Sequence, residues 1–230
     1  MYTLYVGNKT YSSWSLRGWL ATKLSGAPFK EVMVALSSEG TPNPANRSFS
    51  PTARVPCLHD GTTVVWDSLA IAEYLAERHP GMWPADPVAR AWARSISAEM
   101  HSGFSALRNE MPMCIRERVD VRPWSPALDR DIARVTEIWN ESRQRYAKGG
   151  PYLCGEFSVA DAFYAPVAFR FRTYEVNPGG DAGAYLGALL AHPLPREWEA
   201  AALKETAIIE ADEPRILFRD KLAAKGRPAT

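Results

Sequence analysis

With 230 residues the chain can bury a sizeable core, in one large domain or two modest ones. Its 27 basic and 26 acidic residues leave a formal net charge of +1, which excludes the electrostatic footprint of a nucleic-acid or anionic-membrane binder. No apolar run reaches the roughly 18 residues of a membrane span, and MYTLYVGNKT lacks the charged leader and apolar stretch of a signal peptide, so a cytoplasmic protein is expected. The three cysteines, Cys57, Cys114 and Cys154, are scattered and form no C-x-x-C, which fits a reducing compartment rather than a disulfide framework.

Residues 2–6 (YTLYV) read as a short strand and GNKTYSS as a loop. Ser12 and Ser13 are N-cap candidates for a helix from about Trp14 to Leu24, closed by Gly26 and Pro28. Residues 29–34 (FKEVMV) read as a second strand, and the Ser/Gly/Pro/Asn-rich stretch after it is too broken for a long helix. VPCLHDGTTVVW predicts a hairpin that turns at Asp60-Gly61. Asp67-Ser68 then caps a helix with apolar Leu69, Ala72, Leu75 and Ala76, ending near His79-Pro80-Gly81. The order is βαβαββα, with the first two strands parallel across a helical crossover and the last two antiparallel.

Strand signals stop at about Pro84, and MWPADP reads as part of a linker. Helical stretches follow at roughly 88–111, 128–147, 158–172, 182–191 and 195–204, with no convincing hairpin between them. An α/β unit over 1–80 followed by an all-helical unit over 88–230 is the expected organisation. The eight tryptophans are expected mainly as helix core anchors, with one or two free to line an apolar pocket.

Four segments carry a resemblance across nearly the whole chain: YSSWSLR (11–17), SPTARVPCL (50–58), WDSLAIAEYLAE (66–77) and FSVADAFYAP (157–166). In this order and spacing they resemble the glutathione transferase superfamily, and the first is similar to the serine-rich segment of its zeta class, which includes maleylacetoacetate isomerases. The resemblance implies a thioredoxin-like βαβαββα N-terminal domain, a helical-bundle C-terminal domain, a homodimer, and glutathione as co-substrate. It also implies Ser12 or Ser13 at the thiol, a cis peptide before Pro56, and glutathione contacts from Ser15, Arg54, Val55, Pro56, Asp67, Ser68 and Asn109. No metal is implied, and His59, His79, His101 and His192 lack metal-ligand spacing.

The chemistry suits those residue types. Glutathione carries two carboxylates, one ammonium and one thiol. A helix beginning at Ser68 offers free N–H groups, a hydroxyl and a positive dipole end to a carboxylate. Asp67 can face the ammonium, or only cap its own helix. Val55 can pair its backbone with a peptide laid alongside as an added strand. Lowering a thiol pKa from near 8.5 to roughly 6.5 takes about 2.7 kcal/mol, and one hydrogen bond to the charged sulfur supplies about 1.5–3 kcal/mol. A hydroxyl at the start of the first helix therefore suffices.

Tyr5 rivals the serines, because other transferase classes place a thiol-donating tyrosine at the end of the first strand. Tyr11 stands where the isomerases carry an arginine, and about two residues are inserted before the serines. Cys57 is expected as a small core residue, and Arg108, Arg116 and Arg118 as a solvated face or a basic pocket rim. Three readings remain: conjugation or reduction by a glutathione thiolate, glutathione-dependent cis-trans isomerisation, and a non-catalytic binding module on the same fold.

Overall fold

The computed structural model describes residues 1–36 and 43–226. Strand β1 (Tyr2–Val6) alternates, with Tyr2, Leu4 and Val6 buried and Thr3 and Tyr5 on the other face. Helix α1 (Ser13–Leu24) starts from Ser12 as N-cap and is buried along most of its length. The crossover leads to β2 (Phe29–Met33), parallel to β1 from Tyr2↔Phe29 to Val6↔Met33. A 3-10 turn at Pro44–Ser48 follows; much of the broken Ser/Gly/Pro stretch before it lies outside the described residues. The hairpin is β3 (Cys57–Asp60) and β4 (Thr63–Trp66), with β3 antiparallel to β1, so the sheet order is β2-β1-β3-β4. Helix α2 (Ser68–Ala76) joins α1 on one face of the sheet. Gly18 lets α1 approach the chain here, since a Cβ would meet Pro56 Cγ at 2.8 Å.

The stretch MWPADP is not a solvated tether. Met82 and Trp83 are buried, and the Met82 carbonyl accepts the Val159 N–H at 3.0 Å. Beyond it lie α3 (Pro87–Ser102), α4 (Ser105–Glu110), α5 (Pro126–Tyr146), α6 (Val159–Thr173), α7 (Gly180–Ala191) and α8 (Pro193–Ala202). Helix α6 is buried on nearly every side and packs on both α1 and α3, tying the helical half to the sheet half.

Two expectations need correction. The single helix expected over 88–111 breaks at Gly103 and Phe104, where Phe104 takes φ 61°. Arg108 donates to the freed carbonyls of Met100, His101 and Gly103, and Asp131 accepts the Leu107 N–H at 2.9 Å, so both sides of the break are satisfied. Two isolated antiparallel bridges, Tyr152↔Gly155 and Cys154↔Glu156, form a small turn before α6 where no hairpin was expected. The chain after 204 also carries structure: a 3-10 turn at Glu210–Asp212, then α9 (Pro214–Leu217) and α10 (Arg219–Ala224).

Trp19, Trp139 and Trp198 are among the largest fully buried side chains. Cys57 is fully buried in β3, and all three cysteines are free.

Candidate functional site

The loop between β1 and α1 is held from the far end of the chain. Glu205 accepts the N–H groups of Lys9 and Thr10 at 2.6 and 2.9 Å, and the Trp198 indole donates to the Lys9 carbonyl at 2.9 Å. Tyr11 Oη donates to Glu213 Oε2 at 2.8 Å. Inside the loop, Ser15 Oγ accepts the Gly7 N–H at 2.9 Å and the Ser12 hydroxyl at 2.8 Å. These contacts fix where α1 begins, and with it both serines.

Ser12 and Ser13 open onto a cleft of about 1070 Å³ that runs between the sheet half and the helical half. Arg54, Val55, Pro56, Trp66, Asp67 and Ser68 line it on the first side, and Arg108, Asn109, Pro112, Met113, Arg170 and Asp212 on the second. The peptide bond before Pro56 is cis, and the Val55 N–H and C=O take no hydrogen bond among the described residues. Ser68 is fully buried at the first turn of α2, and its Oγ has no hydrogen-bond partner among the described residues. Asp67, with φ 74°, caps α2 by accepting the Leu69 N–H at 2.8 Å, while its Oδ2 lies 3.5 Å from His101 Nε2.

Of the residues expected to meet glutathione, the cleft brings together Ser12, Ser13, Arg54, Val55, Pro56, Asp67, Ser68 and Asn109. Ser15 is the exception. It is fully buried behind Ser12, off the cleft wall, and spends its oxygen on Gly7 and Ser12. The rival Tyr5 points away from the cleft because β1 alternates, and its ring stacks on Phe49 with centroids 4.2 Å apart.

The sequence reading missed much of the positive charge around the serines. Arg170 of α6 is buried, donates to the Met111 carbonyl at 2.7 Å, and reaches Ser13 Oγ at 3.4 Å. Burial, with Arg108 next, pulls its pKa down to about 10. Arg17 lies 3.8 Å from the centroid of the Trp14 ring, with none of its side-chain nitrogens hydrogen-bonded among the described residues; burial, then Arg108 and Arg170, lower its pKa while Asp67 opposes. Trp14 also carries the Arg108 guanidinium at 4.9 Å and meets His101 edge-on. Burial depresses the His101 pKa, with Asp67 acting against it. Arg116 and Arg118 do not line the cleft and donate instead to backbone carbonyls, Arg116 to Ala207 and Arg118 to Ile115 and Glu117. Helical periodicity marks Arg170 and Arg17 only as helix positions; their burial beside one cleft is a tertiary fact.

Among the described residues no three His, Cys, Asp or Glu side chains cluster in a way that could hold a metal ion, and no helix is long and apolar enough to cross a membrane.

A four-stranded thioredoxin-like unit backed by an all-helical half, with paired serines starting α1 at the cleft between them, defines the class of protein. The N-terminal domain of glutathione S-transferases matches residues 11–78, and the C-terminal domain of the same family matches residues 125–201. Maleylacetoacetate isomerase of Mus musculus is 36% identical over 181 residues, covering 76% of this chain and 80% of that protein. The holo structure of maleyl pyruvate isomerase, a bacterial zeta-class glutathione S-transferase, shares the fold at TM-score 0.69 and 23% identity over 89% of this chain and 100% of that one. A glutathione transferase homolog from Burkholderia with bound glutathione superposes at TM-score 0.65 and 23% identity, covering 89% and 98%. The chain belongs to the glutathione S-transferase family.

Proposed function

We propose that this transferase binds glutathione along the sheet side of the cleft and uses the Ser12 hydroxyl to hold its thiol as a thiolate. The observation that carries the reading is the buried, unpartnered Ser68 Oγ at the N-terminus of α2, in the same cleft as the serine pair. A carboxylate there satisfies that hydroxyl and meets the positive end of the helix. Asp67 faces the ammonium, and the unpaired Val55 backbone takes the peptide's main chain. Arg54 and Asn109 complete the contacts. In this arrangement the thiol falls beside Ser12 and Ser13, with Arg170 behind them.

The thiol proton leaves to solvent, and the Ser12 hydroxyl turns its single proton from Ser15 Oγ to the remaining sulfur anion while the Ser15 hydroxyl donates to Ser12 in return. The thiolate then attacks an electrophilic carbon or a peroxide oxygen, forming a bond to sulfur as the leaving group departs. No second protein base is needed, because about 2.7 kcal/mol of preferential stabilisation lowers a thiol pKa by two units.

A second reading is glutathione-dependent cis-trans isomerisation, favoured by the likeness to the mouse isomerase. In it the thiolate adds to a conjugated diacid, the bond rotates, and the thiol is expelled. A non-catalytic binding module is less well supported, because such a module has no need of the serine pair at the cleft. Residues 1–80 act as the glutathione-binding domain and 88–230 as the substrate domain of a cytoplasmic homodimer with a detoxifying role.

The test is a melting curve with reduced glutathione. At about 100 times Kd, linkage adds about 2.7 kcal/mol of stability. The expected outcome is a rise of several degrees; an unchanged melting temperature at saturating glutathione rejects the reading.

A further inference from the structure

The segment after α8 forms part of the cleft wall. Ile209 packs with Tyr11 and Cys114, and the buried Glu213 carboxylate accepts the Tyr11 hydroxyl at 2.8 Å, with Cys114 Sγ 3.7 Å from both of its oxygens. Asp212, one residue earlier, is thereby held against the cleft. Among the described residues, two carboxylates line this cleft, Asp67 and Asp212. Asp67 is engaged by the α2 cap and His101, which leaves Asp212 as the negative group on the helical side, in the same cleft wall as Arg170. Burial pushes the Asp212 carboxyl up, with Arg170 opposing, and Asp212 in turn gives slight support to the Arg170 cation.

We propose that Asp212 is a specificity-determining residue that turns the second-substrate end of the cleft against dicarboxylates and toward neutral or singly charged electrophiles. This rests on the glutathione reading above and narrows its substrate class. An unopposed Arg170 beside Ser13 would attract a dianion. With Asp212 on the same wall, a ligand's second carboxylate meets a like charge in a partly desolvated site, where such repulsion is strong. A neutral electrophile avoids that penalty, and one with a single anionic group for Arg170 bears about half of it.

The experiment uses three near-isosteric, thiol-inert probes: succinate, its monoamide succinamate, and the diamide succinamide. Their affinities for the wild type, Asp212→Asn and Asp212→Glu are measured by calorimetry, with and without saturating glutathione. Removing one fixed charge changes binding in proportion to ligand charge. The expected gains for Asp212→Asn are therefore about tenfold for succinate, about threefold for succinamate and none for succinamide. Asp212→Glu keeps the charge and should follow the wild type. A role in shape alone would move all three probes together, and that result overturns the proposal. So does succinate binding equally to wild type and Asp212→Asn, or detectably to neither. A wild type that fails to bind glutathione removes the parent reading, while the charge series remains readable in the free enzyme.

Discussion

Ser12 Oγ lies 2.8 Å from Ser15 Oγ, and the same Ser15 oxygen receives the Gly7 N–H at 2.9 Å, so the first cleft serine is tied to the loop that leaves β1. Ser15 is thus a positioning residue rather than a ligand contact. Ser15→Ala should leave the buried Gly7 N–H without an acceptor, at about 1–3 kcal/mol of stability. It should also raise the pKa of bound glutathione, by less than loss of Ser12 itself. Urea melts and a thiolate titration of the complex read both effects. An unmoved titration in a folded Ser15→Ala variant would mean that Ser12 finds its orientation without Ser15.

Ser12→Ala removes a hydrogen bond to a charged sulfur worth about 1.5–3 kcal/mol, so the pKa of bound glutathione should rise by about one to two units. Affinity should fall little, because the other contacts remain. Turnover should drop at least about tenfold near pH 6.5 and partly recover near pH 9, where free thiolate is plentiful. Ser13→Ala should be milder. Tyr5→Phe should be silent in this assay, since its ring stacks on Phe49 outside the cleft. The ultraviolet absorbance of the thiolate, followed against pH for each variant, decides the matter. Movement with Tyr5→Phe and none with Ser12→Ala reverses the assignment.

Ser68 separates binding from folding. Its buried Oγ has no partner among the described residues, so Ser68→Ala loses no internal hydrogen bond and should not lower stability. Glutathione affinity should fall about tenfold or more, the loss of one hydrogen bond to a carboxylate. Calorimetric titration beside a thermal melt measures the two separately. A destabilised variant with intact affinity would make the hydroxyl structural and move the carboxylate site elsewhere.

The sheet half was legible because its signals are local. Alternation in YTLYV, the Asp60-Gly61 turn and the Asp67-Ser68 cap each act over a few residues, and all three appear where expected. The helix break at Gly103 was not legible, because the atoms that satisfy it belong to Arg108 and Asp131. The chain after 204 was less legible still. It is polar and aperiodic, and what orders it are pairings such as Thr10–Glu205 and Tyr11–Glu213, about two hundred residues apart. In the cleft, motif residues could be named in advance, but Ser15's retreat behind Ser12 and the arrival of Arg170 and Asp212 depend on how α1, α6 and the C-terminal segment pack.

Helix α6 starts from a buried cap on which its folding depends. Ser158 and Asp161 form a capping box: the Asp161 carboxylate accepts the Ser158 N–H at 2.9 Å, its hydroxyl at 3.1 Å, and the Leu153 N–H at 3.1 Å. Phe157, mostly buried, packs beside the cap. Asp161 is fully buried, and desolvation pushes its pKa up to about 6 despite those donors. A carboxyl raised in the folded state contributes most below its unfolded pKa of about 3.9 and loses that contribution as pH climbs through the folded value. The swing is on the order of 3 kcal/mol, two pKa units. Asp161→Ala should cost about 0.5–2 kcal/mol near pH 7 by analogy with other caps. The gap to wild type should then widen as pH falls from about 7 to about 5, because only the wild type takes up the buried proton. Glutathione affinity of the folded fraction should not change, since Asp161 does not line the cleft. Denaturant melts across that pH range test the cap. A stability difference that narrows toward low pH contradicts the protonation argument, and loss of glutathione binding at full stability would place the site at α6 instead of the α1–α2 cleft.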